Sequence, residues 1–577
     1  MGTSADLSPE TVEHIQRARC VNGIPPSQPM VPYRNIGNLL EAQADQREQQ
    51  RFLVFYSDDG QRLEFSYREF FEQTCQVANL LQNLGVTPGD RVAVMSINHP
   101  DVVVQYFGAL MLGAVVVPLN ADEDDRRLAF MLKDAGACVA FARDAYVDRM
   151  EALRGQLPDL RQIVQTGARV HPSLPHYASE IARLPTSFRP AAAPPSLDSD
   201  ALIVYTSGTT GNPKGVLLDQ YNLLVEAMAI AEWHQIADDQ RMMCVLPLHH
   251  VNGIMVTLMT PLYAGATVVL NERFHAGRFF ERLSAEKVSV VSVVPTFLQF
   301  LLHAKLDMEA YKLARLRHFI CGAGPLTVEL ATKFEQTFKI PLVHGYGLSE
   351  TTCFSCFLPI DLSPAEHRTW VSKHGLPSIG VPLPINEMAI HDALGNEVPE
   401  GEKGEIVIRG HNVLVRYLGN SGVNDASFSH GWFRTGDEGY VRYDDTGRPF
   451  FFISGRIKEL IIRGGVNISP FEIDEVLMSM PGIHAGIAVG FDNDWYGEEV
   501  GALVKIKDGM ELTEQQVLAH CRKHLPFSKS PKVVIFGNAI PMTPTGKYQR
   551  TQCREFFGKW KEVQFSESPG RGSAEAS

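Results

Sequence analysis

The sequence has few cysteines, and they show no paired spacing. Nine cysteines are scattered through 577 residues, which is an odd number without the regular spacing of a disulfide framework. Cys353 and Cys356 form a lone C-x-x-C pair with no second pair beside it, so pocket lining is favoured over a metal or redox role. The sequence therefore predicts reduced thiols and a cytoplasmic protein.

Positive charge is also in short supply. Lys and Arg together number 53 against 66 Asp and Glu, which gives a formal net charge of −13. A nucleic acid or an anionic membrane surface would favour a basic patch, so neither is expected as the main partner. The hydrophobic fraction of 45% and the charged fraction of 21% are those of an ordinary globular protein.

Uninterrupted apolar runs of membrane-spanning length are lacking as well. Residues 1–6 have neither the basic nor the apolar region of a secretory signal. Residues 102–119 approach the length of a spanning helix, but Gly113 divides them into a helix and a short β-rich run that Pro118 is expected to end. Residues 254–270 are interrupted by a proline and a glycine in the same way. No transmembrane segment is predicted.

The remaining pattern alternates short apolar strands with helical periods, and the length predicts at least two domains. This alternation predicts an α/β protein with parallel sheets covered on both faces. Residues 1–35 are polar and are expected to pack loosely on the body. Helices are predicted over 38–44 and 66–84, and strands over 52–56, 91–96, 114–117, 138–142, 203–205, 267–270 and 288–294.

One loop has the composition of a phosphate-binding site. Residues 205–215 follow an apolar strand and combine four side-chain hydroxyls of Ser and Thr, three glycines and Lys214. Glycines let backbone N–H groups converge on an anion, and hydroxyls and a lysine add further contacts. The loop lacks the Walker A spacing, because Lys214 is followed by Gly215, and a loop without ligand is the alternative. The candidate contacts are Thr206, Ser207, Gly208, Thr209, Thr210 and Lys214.

This eleven-residue string resembles the signature loop of the adenylate-forming superfamily, which contains acyl-CoA synthetases, adenylation domains of peptide synthetases and luciferases. Further segments resemble other motifs of that superfamily in the same order, and the resemblance extends over residues 40–555. These segments are residues 246–253, 320–326, 344–351, 432–437, 454–459 and 541–550.

The resemblance implies a nucleotide site. Tyr346 would stack on adenine, Asp437 would bind the ribose diol, and Arg456 would bind ribose and phosphate oxygens. Ser349 would contact the α-phosphate, and Glu350 would be a Mg²⁺ ligand. The remaining residues implied to line the nucleotide site are Gly322, Ala323, Gly324 and Gly347.

The resemblance also implies a catalytic lysine and an acid pocket. Lys547 would neutralise charge during adenylation, and His250 would border the carboxylate and the thiol tunnel. His249 stands where the superfamily more often has Phe or Tyr, which makes the pocket mouth more polar. The residues expected to line the pocket are His249, His250, Thr296, Cys321, Gly345 and Cys353; the absence of Asp or Glu among them disfavours an amino-acid substrate.

Two domains that move are implied by the segment after Arg456. Lys458 would be the pivot, and Gly464 and Gly465 would approach the second substrate after rotation. The implied organisation is a large domain of parallel-sheet subdomains with a β-rich subdomain, followed by a small mobile α+β domain. The expected boundaries are an N-terminal extension over 1–35, the large domain over 36–457, the small domain over 458–561 and a disordered tail over 562–577.

The function expected from the resemblance is a ligase with two half-reactions. ATP and a small carboxylic acid would give acyl-adenylate and pyrophosphate, with Mg²⁺ assisting, and the acyl group would then pass to the thiol of CoA. Transfer to a carrier-protein phosphopantetheine or to an amine remains open, and a non-catalytic nucleotide-binding relative is a remote alternative. The sequence does not identify the acid.

Overall fold

The structure is a computed structural model that describes residues 7–206, 212–304, 306–542 and 548–565. Its helices alternate with strands along most of the chain. The helices are α1 (Pro9–Ala18), α2 (Ile36–Gln46), α3 (Tyr67–Asn83), α4 (Pro100–Leu112), α5 (Asp125–Ala135), α6 (Val147–Leu153), α7 (Tyr177–Ile181), α8 (Gln220–Trp233), α9 (Val251–Ile254), α10 (Thr260–Ala264), α11 (Ala276–Ala285), α12 (Pro295–His303), α13 (Val328–Phe338), α14 (Pro364–Ser372), α15 (Ser421–Ser427), α16 (Pro470–Met478), α17 (Glu514–His524) and α18 (Arg550–Cys553).

The strands of the first half of the chain are β1 (Arg51–Tyr56), β2 (Arg62–Ser66), β3 (Arg91–Met95), β4 (Val115–Leu119), β5 (Ala137–Arg143), β6 (Gln162–Thr166), β7 (Asp200–Thr206), β8 (Lys214–Asp219), β9 (Arg241–Cys244), β10 (Thr267–Asn271) and β11 (Val290–Val293). Those that follow are β12 (His318–Cys321), β13 (Leu342–Tyr346), β14 (Cys356–Phe357), β15 (Val381–Pro382), β16 (Asn386–His391), β17 (Gly404–Gly410), β18 (Arg416–Tyr417), β19 (Phe433–Tyr443), β20 (Pro449–Arg456), β21 (Ile461–Arg463), β22 (Val466–Ile468), β23 (Ile483–Asn493), β24 (Gly497–Ile506) and β25 (Val533–Phe536).

Local sequence signals set several helix ends. α3 begins with a capping box in which the Ser66 hydroxyl accepts from the backbone of Glu69 and the Glu69 carboxylate accepts in return. α4 has Pro100 in its first turn and ends at Gly113, whose φ of 89° is the left-handed conformation that glycine adopts at low cost. The helix that Gly113 is predicted to end therefore forms, and it begins at Pro100.

Two large sheets with parallel cores form the body of the molecule. One has the strand order β15-β14-β13-β12-β11-β9-β10-β1-β2, and the other has the order β18-β8-β7-β4-β3-β5-β6. In the first sheet β1, β10, β9, β11, β12 and β13 pair in parallel. Helices cover these sheets, and a continuous apolar core lies between sheets and helices. The predicted α/β class is confirmed.

Two smaller sheets complete the architecture. Antiparallel strands in the order β16-β17-β19-β20 form a β-rich subdomain of the large domain. The C-terminal part folds around the sheet β22-β21-β24-β23, with β25 paired to β24. Its apolar residues form two clusters, and residues 461–565 supply all their members among the residues that the structure describes. The molecule thus has a large N-terminal domain and a small C-terminal one.

Two expectations from the sequence are wrong in detail. Pro118 does not end its strand: β4 continues to Leu119, and Pro118 faces Val94 of β3 in the parallel register. The partner on the other side, β7, pairs with β4 two residues earlier at Val116, so the missing N–H of the proline costs the sheet little.

The N-terminal extension is not loosely packed. Ile15 of α1 is buried, and Arg19 forms an ion pair with Asp219 at the start of α8. The imidazole of His411 donates from Nε2 to the carbonyl of Ile24 over 2.9 Å. These contacts join the extension to both the parallel sheet and the β-rich subdomain. The expectation of loose packing was wrong because specific hydrogen bonds and ion pairs can hold a polar segment in place. Within the described part of the chain, no helix has the length and apolarity needed to cross a membrane.

Candidate active site

A cavity of about 180 Å³ lies where the small domain meets the large one. Large-domain residues on its wall include Ala323, Gly324, Gly345, Tyr346, Gly347 and Asp437. The small domain contributes Phe471, Asp474, Glu475, Tyr548 and Arg550. Sites of α/β sheets form beyond the carboxyl ends of parallel strands, and β12 and β13 end at this cavity. The structure thus brings six predicted nucleotide contacts together: Ala323, Gly324, Tyr346, Gly347, Asp437 and Arg456.

Asp437 is the centre of the polar network at this cavity. The hydroxyl of Tyr346 donates to Asp437 Oδ2 over 2.5 Å, and the Asp437 backbone N–H donates to Thr435 Oγ1 over 3.0 Å. Arg456 Nε lies 2.8 Å from Asp437 Oδ1, yet no hydrogen bond of good geometry reaches that oxygen from the described residues. Oδ1 therefore keeps the capacity to accept a hydrogen bond from a diol.

Electrostatic interactions keep the Arg456 guanidinium of this cluster positively charged. The neighbouring carboxylate of Asp437 raises the pKa of the Arg456 guanidinium. Burial, followed by the charge of Asp437, raises the pKa of the Tyr346 hydroxyl well above its usual value, so the phenol remains a donor. The pair thus places one fixed positive charge and one neutral ring beside the cavity.

Close packing explains three glycines near the predicted nucleotide site. A Cβ on Gly347 would lie 1.9 Å from the carbonyl oxygen of Cys353, and one on Gly345 would lie 2.3 Å from the ring of Phe357. A Cβ on Gly322 would meet the ring of Phe354 at 2.7 Å. The backbone at these positions can therefore approach its neighbours more closely than a residue with a side chain would allow. Ala323 adopts a φ of 61°, which is uncommon for a residue with a Cβ.

Glu350 lies in a short 3₁₀ segment, Ser349–Thr351, after β13. The hydroxyl of Tyr417 donates to Glu350 Oε1 over 2.9 Å, and Lys214 Nζ lies 5.4 Å from the centre of the Tyr417 ring. The predicted phosphate-loop lysine and the predicted metal ligand therefore share one neighbour. Thr206 pairs with Lys214 in the antiparallel register of β7 and β8. Ser207, Gly208, Thr209 and Thr210 lie outside the described residues.

The donor set at Glu350 fits a magnesium ion that is shared with a substrate. No three Asp, Glu, His or Cys side chains among the described residues lie together closely enough to hold a metal by themselves. Mg²⁺ usually takes one or two protein carboxylates and completes its shell with phosphate oxygens and water. A single oriented carboxylate next to the predicted phosphate loop meets that requirement.

The predicted acid-pocket residues lie at the neighbouring strand ends. His249 and His250 precede α9, with their ring centres 4.4 Å apart. Burial lowers the pKa of His249 to about 4, so its imidazole is neutral at physiological pH. Thr296 lies in the first turn of α12, and Cys321 ends β12.

Burial decides the chemistry of the lone C-x-x-C pair. Cys353 and Cys356 are both buried, and burial raises the pKa of each thiol. Thiols with raised pKa values stay protonated at neutral pH and are poor nucleophiles and poor metal ligands. The pair therefore lines the region behind Gly345 and Gly347 without the microenvironment of a reactive cysteine.

Sequence patterns missed the contribution of the small domain to this cavity. Arg550 forms an ion pair with Asp474 and lies 3.7 Å from Glu459, next to the predicted hinge. The carboxylate of Glu475 accepts from the backbone N–H of Val328, at the start of α13, over 3.2 Å. Arg550 is the last residue of the motif 541–550, which also contains Lys547. Its place in that motif was the one sequence feature that could have identified it. Tyr417 had no such signal.

The predicted hinge and glycine loop lie apart from the cavity wall. Lys458 is exposed in the short segment Ile457–Glu459. Gly464 and Gly465 have φ values of 55° and 83° in the turn between β21 and β22, and the Gly464 N–H donates to the carbonyl of Tyr496. Lys547 lies outside the described residues.

Two family profiles match this chain. One is described as AMP-binding enzyme and covers residues 40–418, and the other, AMP-binding enzyme C-terminal domain, covers residues 472–547. A sulfoacetate–CoA ligase of Cupriavidus necator is 34% identical over 469 residues, which are 81% of this chain and 87% of the relative. An oxalate–CoA ligase of Arabidopsis thaliana is 31% identical over 491 residues, or 83% of this chain and 91% of the relative.

A further relative and two solved structures agree with these matches. A feruloyl-CoA synthase of an Amycolatopsis species is 31% identical over 499 residues, covering 85% of this chain and 94% of the relative. ATP-bound MatB from Rhodopseudomonas palustris superposes with a TM-score of 0.80 at 27% identity and covers 92% of this chain and 100% of its own. The anthranilate–CoA ligase AuaEII with anthranoyl-AMP has a TM-score of 0.82 at 24% identity, covering 92% of this chain and 98% of its own.

Proposed function

This chain belongs to the family of AMP-binding enzymes and is an ATP-dependent acyl-CoA synthetase, and we propose that it activates a small polar acid with the residues described above. ATP, Mg²⁺ and CoA are its cosubstrates and cofactor. The observation that supports the assignment of roles is the network of Tyr346, Asp437 and Arg456 at a cavity shared by both domains.

In the first half-reaction the carboxylate of the acid attacks the α-phosphate of ATP, and pyrophosphate leaves. Two anions must meet, so the main task of the protein is to neutralise charge. Arg456 and Lys214 supply fixed positive charge, Asp437 holds the ribose, and Tyr346 stacks on adenine. Lys547 acts at the reacting phosphate. His250 borders the acid.

Glu350 would hold Mg²⁺ together with the phosphate oxygens. When bound, Mg²⁺ polarises the phosphoryl oxygens and offsets the negative charge that develops on pyrophosphate. Ser349 contributes a hydroxyl to the α-phosphate from the same segment. The Tyr417 hydroxyl holds one carboxylate oxygen of Glu350 and leaves the other available.

In the second half-reaction the thiol sulfur of CoA attacks the acyl carbon of the acyl-adenylate. The thioester forms, AMP leaves with the electron pair of the broken acyl–phosphate bond, and the thiol proton passes to solvent. The small domain, residues 458–561, rotates about Lys458 against the large domain, residues 36–457, so that Lys547 withdraws and the turn with Gly464 and Gly465 approaches. The contacts of Arg550, Asp474 and Glu475 at the nucleotide cavity support the assignment of the observed orientation to adenylation. A hinge of one or two residues is sufficient for this motion.

The proposed acid is small and carries a second polar group. Among the described residues no hydrogen-bond partner reaches His249 Nε2 or Asn252 Nδ2, although both atoms are buried. Ser292 donates to Asn252 Oδ1 over 2.8 Å, which directs the amide nitrogen away from β11. A buried amide donor and a buried imidazole nitrogen without protein partners favour a substrate that brings polar atoms to them. Sulfoacetate and oxalate, named in two relatives, are acids of that kind.

The proposed location is the cytoplasm. All nine cysteines are free thiols in the structure, and Cys20 is partly exposed. Cytoplasmic proteins keep thiols reduced, whereas oxidising compartments favour disulfides.

A pyrophosphate-release screen tests this function. The purified chain is incubated with Mg²⁺, ATP and one acid from a panel of sulfoacetate, oxalate, malonate, ferulate, anthranilate and a long-chain fatty acid, with and without CoA. We expect release with a short acid that carries a second polar group, and a thioester only when CoA is present. A preference for the fatty acid would contradict the proposed acid class, and a chain inactive with every acid would contradict the site assignment.

A further inference from the structure

Glu226 is a fully buried carboxylate in the middle of α8. Its Oε1 accepts from the backbone N–H of Phe354 over 2.7 Å, and its Oε2 accepts from Asn412 Nδ2 over 2.8 Å. No cation of the described chain lies within ion-pair distance of it, and burial raises its pKa to about 8. Burying a carboxyl group without a cation costs free energy. We therefore ask what its two hydrogen bonds stabilise.

Those contacts fix one backbone unit from both sides. Glu226 Oε1 accepts from the N–H of Phe354, and Asn412 Nδ2 donates to the Phe354 carbonyl over 2.9 Å. Asn412 is itself oriented by Asn386, whose Nδ2 donates to Asn412 Oδ1 over 2.6 Å. Fully satisfied buried networks of this kind allow one arrangement of their members. Phe354 is therefore held by α8 and by the segment that precedes β18 at once.

Phe354 in turn forms the support of the nucleotide-binding glycines. A Cβ on Gly347 would lie 2.5 Å from Phe354 Cα, and Cβ atoms on Gly322 and Gly345 would lie 2.7 and 2.9 Å from its ring. Gly345 and Gly347 line the nucleotide cavity. A shift of Phe354 by a few tenths of an ångström would therefore move the backbone on which adenine is proposed to lie.

The same network holds a strained residue next to the proposed metal ligand. Thr352, two residues after Glu350, has φ 61° and ψ −44°, a conformation that a β-branched residue rarely adopts. Its hydroxyl donates to the carbonyl of Asn412 over 2.6 Å. Strained backbone persists only where the surroundings enforce it, so the segment from Glu350 to Phe354 depends on the anchors at its end.

We propose that Glu226 is a positioning residue for nucleotide recognition, because it fixes Phe354 and through it the glycine backbone that receives adenine. This inference rests on the proposed ATP site and adds a residue that does not contact the nucleotide. Its action is indirect: loss of Glu226 lets the adenine surface relax, and the site then distinguishes adenine from other bases less well. Contacts with the triphosphate are expected to change less.

The test is a calorimetric titration of the purified chain with Mg²⁺·ATP and, separately, with Mg²⁺·GTP. Glu226→Ala leaves the Phe354 N–H without its acceptor, and we expect ATP affinity to fall roughly ten- to a hundredfold, with a smaller loss for GTP. Glu226→Gln keeps an acceptor for that N–H, and we expect a loss of less than about tenfold. The matched control is Glu286→Gln, a buried carboxylate of the same domain that contacts Tyr56, Arg62 and Arg241, and it should bind both nucleotides as the wild type does.

A second variant guards against a folding defect in Glu226→Ala. Asn412→Ala removes the donor to the Phe354 carbonyl, and it should reduce the preference for ATP over GTP in the same direction. The double variant Glu226→Gln/Asn412→Ala should lose ATP affinity by a factor smaller than the product of the two single losses, since both substitutions act through Phe354. Folded variants that keep the wild-type preference for ATP, or that lose ATP and GTP equally, would overturn the inference. A wild-type chain that binds neither nucleotide would instead overturn the proposed function.

Discussion

The hydroxyl of Tyr346 donates a 2.5 Å hydrogen bond to Oδ2 of Asp437, 91 positions further along the chain. Tyr346 ends a strand of a large parallel sheet, whereas Asp437 lies in the antiparallel β-rich subdomain. One bond thus joins the proposed adenine-binding surface to the proposed ribose-binding carboxylate. The relative position of the two subdomains therefore sets the shape of the nucleotide site.

Removing the Asp437 carboxylate should weaken ATP binding much more than removing the Tyr346 hydroxyl. We expect Asp437→Ala to raise the KM for ATP by roughly ten- to a hundredfold, because a hydrogen bond to a charged group is lost. Tyr346→Phe keeps the ring and should raise it by only about three- to tenfold. The measurement is ATP–pyrophosphate exchange at saturating acid.

Tyr440→Phe is the matched control for this pair. The Tyr440 hydroxyl donates to the carbonyl of His374 over 3.3 Å, away from the cavity, and its loss should leave the KM for ATP unchanged. If Asp437→Ala left the KM for ATP at the wild-type value, Asp437 would not be the ribose ligand.

Lys547→Ala should slow adenylation strongly and spare transfer. The lysine is proposed to neutralise charge only in the first half-reaction, and loss of one such contact costs about 10²–10³ in rate. Each half-reaction is measured separately, the second with supplied acyl-adenylate and CoA. Lys559→Ala, which removes a lysine that lies over the Trp560 ring, is the control and should affect neither step. An equal loss in both half-reactions would refute the assignment.

Lys458→Pro tests the hinge. Proline fixes φ near −65°, which suits the short 3₁₀ segment Ile457–Glu459 and should therefore retain the observed orientation. Acyl-adenylate should form and accumulate, while transfer to CoA slows by a much larger factor. Lys458→Ala leaves φ free and should retain both steps. Wild-type transfer by the proline variant would show that the pivot lies elsewhere.

The contact between Glu475 and Val328 predicts a pH effect on the balance of the two orientations. Burial raises the pKa of Glu475 from its usual 4.5 to about 8, whereas rotation of the small domain would return it to water and to an ordinary pKa. The observed orientation therefore binds a proton more tightly, and its advantage is complete below about pH 4.5 and declines as pH rises to about 8. Between pH 6 and 8 the rate of adenylation should fall relative to that of transfer.

Glu475→Gln should remove this pH dependence while it keeps an acceptor for the Val328 N–H. The control is Glu472→Gln on the same helix, since Glu472 pairs with Lys529 over 2.8 Å and does not contact Val328. The ratio of the two half-reaction rates is measured from pH 6 to 9. A wild-type profile in the Glu475→Gln variant would exclude Glu475 as the titrating group.

The sequence by itself determined the fold class, the family and the identity of most proposed site residues. Local signals such as Pro100 and Gly113 act over a few residues and are visible in the chain. The phosphate loop and the motifs at Tyr346, Asp437 and Arg456 are contiguous strings. The resemblance drawn from them is confirmed by the family profiles. The roles of individual residues in them stay predictions.

Only the tertiary structure decided which distant groups complete the site. Glu226, Asn412 and Phe354 are separated by up to 186 positions, and no periodicity links them. Their contacts arise because α8 packs against the loop after β13, where a buried polar group must find its partner or lose free energy. Pro118 shows the converse: a local signal for a strand end was overruled, since Pro118 still pairs with Val94 of β3 and β7 pairs with β4 at Val116 instead. Local rules act on adjacent residues, whereas burial and hydrogen-bond satisfaction act on neighbours that only the folded chain creates.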